Sequence, residues 1–147
     1  MKIKCKAGFT EFRAEFITGR QTAFANTTET PPALPDANGS LYIRKFDGAY
    51  FYFLQNFINS KNQVVIKYDW YDPNISISAK DIGAPGSNLT AADIKFSTLG
   101  LGYISYINDN VKLVLWYDKV WNEKTRMAGF TSDVKDDVFT CRMQFRF

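Results

Sequence analysis

Five basic side chains recur in segments that alternate apolar and polar residues: Arg13, Lys67, Lys112, Arg142 and Arg146. In such a segment every second residue lies on the same face of a strand. On the wall of a water-filled passage, cations on one face draw anions in. The same faces carry Glu11, Glu15, Asp69 and Asp118. With signs mixed in this way, a wetted polar surface accounts for these residues as well as an anion-attracting wall does, and no phosphate-selective site follows from them.

Other chemistries have little to build on. Histidine is absent, which removes the commonest metal ligand and a common general base. Only Lys and carboxylates remain as bases for a nucleophile, and none shows convergent spacing. The sequence reads as a non-enzyme without cofactor or metal site. Cys5 and Cys141 lie near opposite ends; they could form one disulfide, and free structural thiols are the simpler reading. Gly83-Ala84-Pro85-Gly86 lacks the Lys and the strand-to-helix setting of a phosphate cradle and reads as loop. Asn26-Thr27-Thr28 and Asn88-Leu89-Thr90 match a glycosylation pattern short enough to arise by chance. The 18 basic residues are scattered and leave a net charge of only +3, so nucleic acid is not an expected partner.

The elements that must position these residues are strands. Phe139, Cys141, Met143, Phe145 and Phe147 alternate with Thr140, Arg142, Gln144 and Arg146 across residues 138–147. Val111, Leu113, Leu115 and Tyr117 alternate with Lys112, Val114, Trp116 and Asp118 over residues 111–122, after an Asn108-Asp109-Asn110 turn. Residues 97–107 form the preceding strand, with Gly100 and Gly102 on one face as a close-packing or kink site. Further strands are expected at 63–72, 46–57 and 7–19, with a turn over Asn59-Ser60-Lys61-Asn62. Long polar connections cover 20–41, 73–95 and 124–136, the second with a short helical turn at Ala91 to Asp93 after Thr90. The fold expected is all-β, a six-stranded antiparallel up-and-down meander in one domain over residues 1–147. Its long loops all fall at one end, as in transmembrane β-barrels. Tyr68, Trp70, Tyr71, Tyr117 and Trp121 sit near strand ends beside the long loops, where an interfacial aromatic girdle belongs. No window reaches the roughly 18 to 20 unbroken apolar residues of a membrane helix.

Three stretches carry a family resemblance. Gly100-Leu101-Gly102-Tyr103 followed by Tyr106 to Leu113 and Tyr117-Asp118 resembles the closing hairpin of outer-membrane porins. Asp136-Asp137-Val138-Phe139 through Phe145-Arg146-Phe147 looks like their terminal strand. Gly48-Ala49-Tyr50 to Gln55-Asn56, with Lys67-Tyr68-Asp69 and Tyr71-Asp72-Pro73-Asn74, is similar to the phosphate-selective porin O and P family of Bacteroidetes-type bacteria. The likeness spans about residues 42–147. It implies an even-stranded barrel in the bacterial outer membrane, often trimeric, with lipid around it and a water-filled channel for passive uptake of small polar solutes or anions such as phosphate. It also implies that Phe147 is the C-terminal barrel-assembly signal.

Six strands fall short of the eight that a closed outer-membrane barrel needs, and an open sheet leaves two edges that lipid does not tolerate. The chain is therefore expected to be the C-terminal part of a larger porin barrel. Lys2, Lys4 and Lys6 precede an amphipathic, charged stretch from Gly8 to Arg20 instead of an apolar one, so a secretory signal is not read here. The rival reading is a soluble β-barrel that binds a small apolar ligand, with the same alternation turned inside out. An adhesion or assembly module is a third.

Overall fold

The computed structural model describes residues 1–24 and 41–147, and these form a single antiparallel sheet of seven strands in chain order. They are β1 (Lys2–Cys5), β2 (Gly8–Phe24), β3 (Leu41–Phe57), β4 (Asn59–Asp72), β5 (Phe96–Tyr106), β6 (Val111–Asn122) and β7 (Val138–Phe145). The meander is as expected; the count is not. Lys2 to Cys5 form a short extra strand that turns back onto β2, with Cys5 opposite Gly8. Gly8 takes a φ of +138°, a region closed to side chains, and a Cβ there would stand 2.8 Å from Asn56 Oδ1. β2 and β3 are also longer than the sequence implied, pairing from Thr10↔Gln55 to Phe24↔Leu41. The polar connection expected over 20–41 thus begins and ends in strand; its middle, with Pro31, Pro32, Pro35, Gly39 and the Asn26 sequon, lies outside the described residues. The sheet does not close, because β1 and β7 do not pair.

The β3–β4 turn also differs from expectation. The chain reverses at Ile58, a β-branched residue at φ 65°, and the ladder is irregular between Asn56 and Phe57. Asn56 fastens the reversal: its Oδ1 accepts from Phe9 N at 2.9 Å, and its Nδ2 donates to Ser60 O and Asn62 O, both at 3.2 Å. Elsewhere the ladder runs without a slip from β2 to β7.

Gly100 and Gly102 are the close-packing site. The Trp116 ring lies over both, and a Cβ would stand 2.5 Å from it at Gly100 and 2.3 Å at Gly102. Gly102 is directly opposite Trp116 across the β5–β6 ladder, with Val65 on its other side. Gly102→Ala should therefore destabilise the sheet by about 1–3 kcal/mol. In denaturant unfolding, Trp116→Ala in the same chain should cancel most of that penalty, since the overlap is with the ring alone.

Candidate functional site: two opposed sheet faces

Because side chains alternate and the register holds, residues of like chemistry line up across the middle of each face. One face carries Phe12, Ala14 and Phe16 of β2, then Ala49, Phe51 and Phe53 of β3. It continues through Val64, Ile66, Tyr68 and Trp70, then Leu99, Leu101 and Tyr103. Beyond these come Leu113, Leu115 and Tyr117, and finally Phe139, Cys141, Met143 and Phe145. The opposite face carries Glu11, Arg13, Glu15, Tyr50, Tyr52, Lys67, Asp69, Asp118 and Arg142.

Exposure runs against ordinary globular practice. On the apolar face Phe16 is 60% exposed, Phe51 49% and Leu101 47%. On the charged face Lys67 and Asp69 are only 19% and 28% exposed along their side chains, and Leu54 and Val65 are buried. At mid-sheet the apolar side chains stand outward while Lys67 and Asp69 lie among neighbours; Arg13, Glu15 and Arg142, on the outer strands, are exposed.

All five predicted cations map to the charged side, at two heights. Arg13, Tyr52, Lys67, Gly100 and Asp118 share one row across the strands. Arg13 is neutralised by Glu11 at 2.9 Å and Lys67 by Asp69. Asp118 Oδ1 is buried without a hydrogen-bond partner, separated from Lys67 only by Gly100. Lys112 and Arg142 sit nearer the short-turn end, and neither has a carboxylate partner among the described residues. Arg146 lies just past β7 and lines a hollow of about 490 Å³ with Lys112, Gln144, Tyr106 and Asp109. The mixed signs seen in the sequence thus separate in space: pairs near mid-strand, unpaired cations at the short-turn end. A hollow of about 400 Å³ that the sequence did not reveal lies over Gly48 near the other end, walled by Ile17, Tyr50, Tyr71 and Phe96, with Glu15 and Asp69 beside it.

Tyr68, Trp70, Tyr117 and Trp121 all project from the apolar face, Trp70 and Trp121 in one row with Ser97 between them. Two of them bond carboxylates: Trp70 Nε1 donates to Asp47 Oδ1 of β3 at 3.0 Å, and Tyr117 Oη to Asp137 Oδ2 in the connection before β7 at 2.8 Å. Tyr71 projects from the charged face instead, its hydroxyl 3.2 Å from Gln21 Oε1. Cys5 and Cys141 are both unpaired thiols. No cluster of three or more metal-binding side chains occurs among the described residues.

The long-loop end is held by a contact the sequence did not reveal. Arg44 Nε donates to Asp93 Oδ1 at 2.7 Å, with both side chains at most 2% exposed. Asn74 Nδ2 donates to the same oxygen at 2.9 Å, and Thr90 N to Oδ2 at 3.0 Å. The only sequence signal was the Thr90-x-x-Asp93 spacing, and it does form the expected one-turn 3-10 helix at Ala91–Asp93 with a capping box. A second such turn, at Ala79–Asp81, is capped by Ser78. Ile82 and Ile94 are buried beneath this loop, and Arg126 N donates to Ile82 O at 3.0 Å, joining it to the connection before β7. There Asp137 accepts from Lys119 Nζ and Tyr117 Oη, which hold its carboxyl below the usual range.

No protein-family model, curated protein or solved structure matches this chain.

Burial opposes ionisation of Asp93, but hydrogen bonds from Arg44, Thr90 and Asn74 outweigh it and hold its carboxyl below the ordinary value. A depressed folded pKa stabilises fully above the unfolded value near pH 4 and is lost as pH falls through the folded one. Amide exchange at Asp93 and Ile94 should therefore stay protected down to about pH 4 and accelerate below it. Asp93→Asn removes the carboxylate that faces the buried Arg44, and should cost about 1–3 kcal/mol of local stability at neutral pH.

Proposed function

We propose that this sheet is part of the wall of an outer-membrane β-barrel pore, a porin in which the apolar face meets lipid and the charged face meets water. The observation that carries this reading is the contrast between the faces at mid-sheet: Phe16, Phe51, Ile66 and Leu101 stand exposed on the apolar face, while Lys67 and Asp69 on the other face lie among neighbours. β5 and β6, of 11 and 12 residues, have the length needed to cross a bilayer when tilted. The row formed by Trp70 and Trp121 on the apolar face, near the long-loop end, fits an interfacial girdle. The proposed activity is passive passage of small polar solutes, anions among them, and no bond-making chemistry. The ligand-binding alternative needs the apolar face to enclose a cavity and the charges to face bulk water, and the relative exposures favour the first arrangement.

The three tryptophans report the two environments separately. In lipid vesicles, single-Trp variants retaining Trp70 or Trp121 should be quenched by brominated acyl chains. A variant retaining only Trp116, on the charged face, should be quenched by aqueous acrylamide. The reverse pattern would overturn the membrane reading in favour of the enclosed-ligand one.

Selectivity rests on the unpaired cations at the short-turn end. Arg142→Gln with Arg146→Gln should lower anion-over-cation permeability in low salt, measured as reversal potential across a gradient. At 1 M salt the difference should vanish, because the screening length falls to about 3 Å. Equal potentials at low salt would reduce these arginines to wetting of the wall.

A further inference from the structure

On the charged face two neighbouring rows of the ladder cross four strands side by side. The row nearer mid-sheet is Glu15, Tyr50, Asp69 and Thr98; the next, toward the long loops, is Ile17, Gly48, Tyr71 and Phe96. Gly48 puts no side chain between Ile17 and Tyr71, and the dip it leaves is the hollow of about 400 Å³. A Cβ at Gly48 would stand 3.2 Å from the Tyr71 ring and 3.6 Å from Ile17, so a single carbon would touch both walls. Ile17 and Tyr71 nevertheless stay exposed on the face that carries the charges.

We propose that this hollow binds a small organic cation, an ammonium head on an apolar body about the size of one ring. Three observations point to that chemistry. The walls come first: Tyr50, Tyr71 and Phe96 set three aromatic rings around the floor, and such rings attract a cation through their electron-rich faces. The second is the sense of the hydrogen bonds. Tyr50 Oη donates to Glu15 Oε2 at 2.8 Å and Tyr71 Oη to Gln21 Oε1 at 3.2 Å, so both phenol protons are committed. Thr98 keeps the only uncommitted side-chain donor in the lining, while Glu15 Oε1 and Asp69 Oδ1 remain open acceptors. An anion needs donors, and a sugar needs donors and acceptors together; a cation needs acceptors alone. The third is charge. Asp69 is neutralised by Lys67, but Glu15 is exposed at the rim with no cationic partner among the described residues.

The volume also suits a small molecule, since such sites begin at about 300 Å³. The inference rests on the membrane reading only for placing the hollow on a channel wall; its lining stands without that reading. The long-loop side of the charged face then favours cations, and the short-turn end, with Lys112 and Arg142, favours anions.

The test uses the full chain refolded in detergent micelles, with equilibrium dialysis against empty micelles. The probe is benzyltrimethylammonium, with benzyl alcohol as its neutral counterpart and benzenesulfonate as the anion. The cation should bind about tenfold more tightly than either of the others. Glu15→Gln should weaken it about fivefold at low salt and hardly at all at 1 M, where the screening length is about 3 Å. Phe96→Leu keeps an apolar wall without the ring; it should weaken the cation about fivefold and leave benzyl alcohol unchanged. Thr98→Val, which removes only the donor, should leave the cation unaffected. Equal binding of the three probes, preference for benzenesulfonate, or indifference to Glu15→Gln or to Phe96→Leu would overturn the site. A chain that enters vesicles but does not bind the cation would overturn the site and leave the membrane reading intact. A chain that binds it but stays out of vesicles would uphold the site and overturn the membrane reading.

Discussion

Everything described above depends on register. A slip of one residue between any two strands would turn half the sheet over, exposing Lys67 and Asp69 where Ile66 and Tyr68 now stand. The ladders hold register from Thr10↔Gln55 across to Val111↔Phe145, with one irregularity, beside Ile58. Two local devices help pin it. Asn56 ties Phe9, Ser60 and Asn62 together at the turn end. Trp116 fits only over a strand that offers two glycines at alternate positions. Either device is lost on a one-residue shift, so the cost of slippage is concentrated at two points where it is large.

Given that register, the electrostatics of the charged face follow from strand order. Arg13 finds Glu11 two residues away on its own strand, and Lys67 finds Asp69 in the same way. These pairs need no tertiary partner and neutralise the middle of the face. Lys112 and Arg142 lie on neighbouring strands at a height where no acidic strand residue stands opposite, and so keep their fields. Separation along the strand axis, more than any total of charges, gives this face a polarity. At the other end Arg44 and Asp93 cancel each other in a buried contact that ties loop to sheet.

What the sequence disclosed divides along one physical line. Patterns of period two and breaker residues are local, and they located the meander, its polar connections and the Ala91–Asp93 turn. They also placed Arg13, Lys67, Lys112 and Arg142 on one side, because alternation fixes the face once any strand is oriented. Features created by pairing were not legible. Lys2 to Cys5 have too short a pattern to declare a strand, and only their match to Gly8–Glu11 makes one. Arg44 and Asp93 are 49 residues apart, joined by a hydrogen bond that no spacing rule anticipates. Tyr71 was grouped with Tyr68 and Trp70 by its position near a strand end, although its odd number puts it on the other face. The glycine pair was recognised as a packing site, but its partner, Trp116, emerged only from the β5–β6 ladder.

The strictly sequential strand order has a consequence for how such a sheet comes into being. Each strand is hydrogen-bonded only to its predecessor and successor, so the chain can zip up hairpin by hairpin without waiting for a distant segment. β5 and β6 need close only the few residues between Tyr106 and Val111 before they pair. That small loop makes this hairpin a natural nucleus, from which the ladder grows in both directions at modest entropic cost. At every stage of growth there are only two exposed margins, whatever the number of strands already laid down. Lengthening such a wall by another hairpin changes its circumference and leaves every existing ladder in place.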